Sequence, residues 1–137
     1  MLRLVLYHGA GRRAPRLDGT RKQANRGTSR VIYELRIYDA APGKLEALHR
    51  RFRDHTFRLF EKHRMRLVDY GQNVQEGTDQ IIYTLAFDSE AARDAAWTAF
   101  RADPEWQTAR DASEREGKLT AKVVSISYRP APGTPQP

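Results

Sequence analysis

The sequence of 137 residues contains no cysteine. It therefore excludes a disulfide-stabilised scaffold, a zinc or iron–sulfur site with cysteine ligands, and a thiol nucleophile. Apolar runs are only a handful of residues long, which excludes a membrane-spanning helix. The chain also lacks a glycine-rich phosphate loop between a strand and a helix, a G-x-S-x-G elbow, an H-E-x-x-H motif and an EF-hand loop. The length predicts one domain with a single hydrophobic core.

Acidic residues are scarce in residues 1–30, which contain eight Lys and Arg side chains against one Asp. The formal net charge of +7 lies entirely there, because residues 31–137 contain 16 basic and 16 acidic side chains. This segment has almost no apolar periodicity, so we predict a disordered leader. It is a tail without function, an organellar transit peptide, or an arm for nucleic acid or a membrane surface. We expect at most weak, salt-sensitive nucleic-acid binding through it.

The periodicity of apolar residues predicts four strands and three helices in residues 31–129. The order is β-α-β-β-α-β, with the second helix continued by a short third one, and Pro-rich residues 130–137 form a tail. This order predicts an α+β, ferredoxin-like fold with helices on one face of a four-stranded antiparallel sheet. The predicted strands are 31–38, 66–74, 80–87 and 119–128, and the predicted helices are 44–63, 89–101 and 103–116.

Local signals predict where several of these elements begin, end or bend. Asp88 or Ser89 caps the second helix, and Asp103, followed by a proline, caps the third. Gly117 is expected to end the third helix, and Gly71 to mark a bulge or a close approach in the second strand.

The sheet face that no helix covers, the open face, is expected to carry Ile32, Ile82 and Val123 among polar residues. It is too apolar to be left wholly in water, so a ligand or a second sheet should cover it. Two such sheets form a barrel by dimerisation, and we therefore expect a homodimer through the open face.

The chain contains three separated motifs, which are Tyr33–Tyr38 with Pro42–Lys44, Phe52–Thr56 with Leu59–His63, and Ala96–Trp106. Together they resemble the motifs of the NIPSNAP family. The match covers about residues 31–129 and implies the dimeric α/β-barrel fold, but no established reaction. In one departure, Arg64 follows His63 where the family often has glycine.

The arginine-heavy and alanine-rich composition is typical of a GC-rich bacterial source. It favours a cytoplasmic protein. A mitochondrial location, to which eukaryotic relatives are linked, is the alternative if the leader is a transit peptide.

Three histidines, His49, His55 and His63, fall within the apolar arc of the first predicted helix. Their spacings of six and eight residues do not converge on one ion, so we predict no metal site, and no cofactor is predicted either. Each histidine either bonds a neighbouring group as a structural residue or faces a ligand. His49 and His55 are candidate ligand-binding residues, and His55 is the candidate catalytic proton acceptor.

Glu34 and Arg36 face the same side of the first strand, which we assign to the barrel interior. An ion pair there is expected at the rim, near the dimer edge, or in contact with a ligand. Several aromatic residues either belong to the core or wall a pocket for a small apolar or aromatic molecule. The candidates for this ligand-binding role are Tyr70, Tyr83, Trp97 and Phe100.

Two functions from different classes are open at this point. The first is a homodimeric module that binds a small ligand or a partner and performs no chemistry, because no catalytic constellation is evident. The second is a cofactor-independent monooxygenase-like enzyme, as in similar dimeric α/β barrels, with His55 as proton acceptor.

Overall fold

The computed structural model describes residues 30–135. Nearly all of the predicted leader and the last two residues of the predicted tail lie outside the described residues. The predictions made for them, disorder and weak nucleic-acid binding, stay predictions.

Within this range the predicted α+β fold and its element order are confirmed. No described helix is both long enough and apolar enough to cross a membrane. The elements are β1 (Ile32–Ala40), α1 (Leu45–Arg51), a π-helical turn (Phe52–Thr56), α2 (Phe57–Lys62), β2 (Arg66–Gln72), β3 (Gln80–Phe87), α3 (Glu90–Ala102), α4 (Pro104–Ser113) and β4 (Thr120–Tyr128).

The four strands form one antiparallel sheet in the order β2-β3-β1-β4. Strands β1 and β3 are therefore central, and β2 and β4 are the edges. Arg36 of β1 lies opposite Tyr83 of β3 and opposite Ser125 of β4. Since paired residues share a face, these three side chains lie side by side on the sheet.

The structure reverses the predicted orientation of β1. Glu34 and Tyr38 contact helical side chains, and Ile32 on the same face is only 2% exposed. The predictions that Ile32 lies on the open face, and that Glu34 and Arg36 face the barrel interior or its rim, are therefore wrong. The sequence pattern could not decide the orientation, because both alternating sets of β1 residues contain apolar side chains. The pattern also does not show which helical side chains compensate the buried charge of Glu34.

The open face is also partly different from the prediction. Ile82 lies on it, as expected, because it pairs with Ile37 of the outward-facing set. Val123 does not, because it pairs with Tyr38 and so shares the helix-side face, where it stays 44% exposed on the edge strand. The apolar residues of the open face on β1 and β4 are Tyr33, Leu35, Ile37, Val124, Ile126 and Tyr128, and the charged pair Asp39 and Lys122 continues the same face.

Helix-capping predictions are confirmed at two N-termini. Ser89 caps α3, since its Oγ accepts a hydrogen bond from the backbone N–H of Ala92 at 3.0 Å. Asp103 caps α4 by accepting from the N–H of Glu105 at 2.9 Å, and Pro104 is the first helical residue.

Two glycine predictions are wrong. Helix α4 ends at Ser113, so Gly117, with a φ of +115°, belongs to the following loop and not to the helix terminus. The irregularity of β2 lies between Leu67 and Asp69, not at Gly71. A side chain at Gly71 would meet nothing within 4 Å, so no close approach requires glycine there.

The core lies between the sheet and the helices, and its centre is aromatic. The ring of Phe52 from the π-helical turn lies 5.1–5.6 Å from the rings of Tyr38, Tyr70 and Tyr83. These distances are typical of favourable aromatic pairs. The buried core residues are Leu48, Phe52, Leu59, Phe60, Met65, Ile81, Tyr83, Leu85, Phe87, Trp97, Phe100 and Leu119.

The turn from α2 to β2 explains why glycine is favoured after His63. Arg64 has a φ of +58°. The backbone N–H of Arg64 donates to the carbonyl oxygen of Glu61 at 3.1 Å. The backbone N–H of Met65 donates to the carbonyl oxygen of Phe60 at 2.8 Å. These two bonds form a Schellman motif with Arg64 at the left-handed position, which glycine occupies at lower cost.

We expect Arg64→Gly to raise the free energy of unfolding by about 0.5–1 kcal/mol, because it removes the strain of a side chain at positive φ. The matched control is Arg50→Gly, which lies inside helix α1. There the same change should lower the free energy of unfolding by about 1 kcal/mol. Urea unfolding of both variants measures the difference. A loss of stability in Arg64→Gly would contradict the strain argument.

Candidate functional site

A carboxylate buried between the sheet and α3 anchors the candidate site. Glu34 has no solvent exposure. Its Oε1 accepts a hydrogen bond from Trp97 Nε1 at 2.9 Å. The same oxygen also accepts one from Arg93 Nε. Its Oε2 accepts from Arg36 Nη1 at 2.8 Å and from Ser125 Oγ at 3.1 Å. Four donors from β1, β4 and α3 therefore satisfy one carboxylate, as a buried charge requires.

These partners keep Glu34 ionised. Burial alone raises its pKa, but the hydrogen bonds from Arg36, Trp97 and Arg93 together with the positive charge of Arg36 outweigh that effect. The pKa of Glu34 therefore lies below its usual value, and the side chain is a carboxylate at neutral pH.

Arg36 is held on several sides by its neighbours. Its guanidinium carbon lies 4.4 Å from the centre of the Trp97 ring, a cation–π contact. Its Nε and Nη2 donate to the Tyr38 hydroxyl at 3.3 and 3.2 Å. That hydroxyl lies 2.9 Å from the hydroxyl of Tyr83, whose burial raises its pKa and keeps it neutral. Arg36 is thus fixed in position and has little rotamer freedom left.

A cavity of about 260 Å³ opens beside this network, between β1, the π-helical turn, α3 and α4. Its wall consists of six aromatic residues, four arginines and one threonine, and no described carboxylate lines it. The lining residues are Arg36, Tyr38, Arg51, Phe52, Thr56, Phe60, Trp97, Phe100, Arg101, Trp106 and Arg110.

The π-helical turn contributes its first and last residues, Phe52 and Thr56, to this wall. Wider turns of this kind, inserted into α-helices, frequently occur at functional sites. Thr56 is buried, and its hydroxyl donates to the backbone carbonyl of Arg51 at a long 3.4 Å. The turn therefore places a ring and a small polar side chain at the cavity.

Arg51 is the most deeply buried cation of the wall, with 6% exposure. Its Nη1 donates to Glu114 at 3.1 Å and to Ser113 at 3.3 Å. Its guanidinium carbon lies 5.1 Å from the centre of the Trp106 ring. Within residues 30–135 its buried Nε has no hydrogen-bond partner.

The structure brings together five of the eight residues predicted to bind a ligand. Arg36, Trp97 and Phe100 line the cavity. Glu34 lies behind Arg36 and orients it. Tyr83 lies beneath the wall and contacts it through Tyr38. The remaining three, which are His49, His55 and Tyr70, do not line the cavity, although the ring of Tyr70 packs against the wall residue Phe52.

His49 and Tyr70 form a separate contact between α1 and β2. The Nδ1 atom of His49 lies 2.8 Å from the Tyr70 hydroxyl, and its Nε2 lies 2.9 Å from Gln72 Oε1. Both ring nitrogens are thus occupied, and burial raises the pKa of Tyr70. His63 likewise lies 2.7 Å from the Asp103 carboxylate. These contacts favour the structural interpretation of both histidines.

His55 lines a different groove, between α1, the π-helical turn and α4. Arg51 lines both this groove and the aromatic cavity. The role of His55 as a proton acceptor stays a prediction, and its position separates it from Arg36 and Trp97. Among residues 30–135 no group of three or more His, Asp or Glu side chains is placed to hold a metal ion.

Several residues of the wall were not predicted from the sequence. Tyr38 had a usable signal, because it continues the alternating set of Glu34 and Arg36 along β1. Arg51 and Arg110 had none, since an arginine on a helix ordinarily faces water.

Comparison with known proteins places the chain among proteins of the same fold. A family model described as NIPSNAP matches residues 33–135. An uncharacterised NIPSNAP-like domain protein from Burkholderia xenovorans has a TM-score of 0.68 at 19% identity, over 79% of this chain and 91% of that one. A NIPSNAP family protein with unknown function from Agrobacterium tumefaciens has a TM-score of 0.67 at 23% identity, over 79% and 95%. No functionally curated protein matches.

We expect Glu34→Gln to lower the free energy of unfolding by about 3 kcal/mol, because Arg36 and Arg93 lose their buried carboxylate. In the matched control Glu46→Gln, the lost ion pair with Arg53 joins two side chains that are more than half exposed. Its loss should cost far less stability, because solvent screens the two charges. Urea unfolding followed by circular dichroism compares the two, and equal losses would contradict the anchoring role of Glu34.

Proposed function

The chain belongs to the NIPSNAP family, and from that premise we propose that it binds a small molecule in the aromatic cavity between β1, the π-helical turn, α3 and α4. The observation that carries the proposal is the wall itself: a concave, mainly aromatic surface with a few fixed polar groups is the usual form of a small-molecule site. The network around Glu34 supports it, because its hydrogen bonds fix Arg36 and Trp97 in position at the cavity.

Binding without acid–base or nucleophilic chemistry agrees best with the composition of the wall. The described lining residues are aromatic, arginine and threonine. A proton acceptor would have to lie within hydrogen-bond reach of the bound molecule. His55, the acceptor of the alternative monooxygenase-like hypothesis, lines the neighbouring groove instead. That alternative therefore gains no support from the position of this histidine.

The size of the cavity limits the ligand to about one ring. A cavity of about 150 Å³ accepts benzene, and drug-sized ligands occupy roughly 300–1,000 Å³. The cavity here, at about 260 Å³, lies between these cases. A single ring with a small substituent is the expected size class.

The chain provides its own reporter for binding, because both of its tryptophans, Trp97 and Trp106, line the cavity. We expect benzamide, a neutral single-ring probe, to change the tryptophan fluorescence in a saturable way. Thr56→Leu should weaken this binding at least about tenfold, since it fills part of a closely packed site.

The matched control is Thr98→Leu, the same substitution at an exposed position of α3, which should bind benzamide like the unmodified protein. Circular dichroism checks that both variants are folded. A fluorescence response that Thr56→Leu leaves unchanged would show that the probe binds elsewhere, and this would contradict the proposal.

We further propose that two copies of the chain associate through the open face of the sheet. In-register apolar residues cross this face from β1 to β4, where Leu35 pairs with Ile126 and Tyr33 stacks on Tyr128 at 5.5 Å. Ile126 and Tyr128 are 49% and 45% exposed. A contiguous apolar patch of this kind usually marks an interface, and a second copy offers the same patch in return.

We expect Ile126→Lys to convert a dimer into a monomer, because it places a charge within the apolar patch of that face. Val123→Lys is the matched control, since Val123 lies on the same strand with similar exposure but on the opposite face. Light scattering after size-exclusion chromatography gives the masses. A monomeric unmodified protein, or a dimer that Ile126→Lys leaves intact, would contradict this interface.

A further inference from the structure

We propose that the ligand of the aromatic cavity is an anion, a carboxylate carried on a single aromatic ring. This inference rests on the proposed binding function and names its ligand class. It follows from the charges of the wall, from the deep burial of one of its arginines and from the aromatic surfaces beside them.

The cations of the wall face the cavity without their counter-charges. Arg36 pairs with Glu34, Arg51 with Glu114 and Arg110 with Asp111. None of these three carboxylates lines the cavity. Arg101 also lines it and has no ion pair within residues 30–135. A ligand in the cavity therefore meets guanidinium groups directly, while the compensating carboxylates lie outside the wall. This favours negative charge on the ligand.

Arg51 supplies the specific donor. Its side chain is more than nine-tenths buried, yet its Nε–H has no acceptor among the described residues. An unpaired buried donor is costly and rare. Because Arg51 also lines the cavity, its guanidinium is the most deeply buried positive charge that a carboxylate bound there would meet.

The aromatic surfaces favour a flat apolar body next to the charge. Arg36 lies over Trp97, and Arg51 lies over Trp106, so each of the two innermost cations is paired with an indole ring. Phe100 stands between the two indoles, with ring centres 5.4 Å and 4.9 Å away. A planar ring gains offset or edge contacts against such a wall. Inorganic phosphate, which has no apolar surface, gains none of them.

The test compares three probes on the folded full chain: benzoate, its neutral isostere benzamide, and inorganic phosphate. We expect benzoate to bind at least about tenfold more tightly than benzamide, because a charge-assisted hydrogen bond replaces a neutral one. The preference should weaken with added salt. Phosphate should neither change the tryptophan fluorescence nor displace benzoate at similar concentrations.

Variants at Arg51 identify the group responsible. Arg51→Met keeps an apolar side chain of similar length and should remove the preference for benzoate while leaving benzamide binding in place. Arg51→Lys keeps the charge and should restore part of the preference. Arg50→Met, at an exposed position one residue earlier, should change neither probe's affinity. Circular dichroism checks that each variant is folded. Benzamide binding, in addition, shows that the cavity is intact.

The outcomes separate this inference from the function on which it rests. Equal affinities for benzoate and benzamide, both lost in Thr56→Leu, would overturn the anionic class and leave the binding function standing. Phosphate binding as tightly as benzoate would overturn the aromatic carboxylate in favour of a general anion site. Failure of all three probes to bind would overturn the binding function and this inference together.

Discussion

The buried Glu34 carboxylate is the constraint on which the rest of the candidate site depends. A charge without solvent exposure is tolerated only where donors surround it, and four donors from three different elements do so here. The carboxylate thus ties β1 to β4 and to α3. Hydrophobic contacts bring these elements together, but the charge also specifies how they must be aligned.

This alignment has a consequence for the cavity. Arg36 cannot turn away, because Glu34, Tyr38 and the Trp97 ring hold it. Trp97 in turn donates to Glu34 and cannot rotate to fill the cavity. The aromatic wall therefore stays open in a core that would otherwise pack closely. The polar network keeps the cavity open.

The two faces of the sheet carry different features. The helix-side face holds the buried network and the cavity, whereas the open face presents apolar residues that pair in register. A ligand in the cavity and a second copy on the open face would not compete for the same side chains. Binding and association can therefore be altered by separate substitutions, as the alternation of side chains along a strand allows.

The order of the elements, the caps at Ser89 and Asp103 and the antiparallel sheet could all be predicted from the sequence, because periodicity and capping depend on residues close together in the chain. The sequence also indicated Arg36, Trp97 and Phe100 as candidate ligand-binding residues, and all three line the cavity. Only the tertiary structure decided which face of β1 meets the helices, since both alternating sets were apolar enough. It also decided that Arg51 turns inward, because the group that stabilises its charge, Glu114, lies 63 residues away along the chain. A guanidinium is buried only where such a distant partner arrives, and no local pattern encodes that arrival.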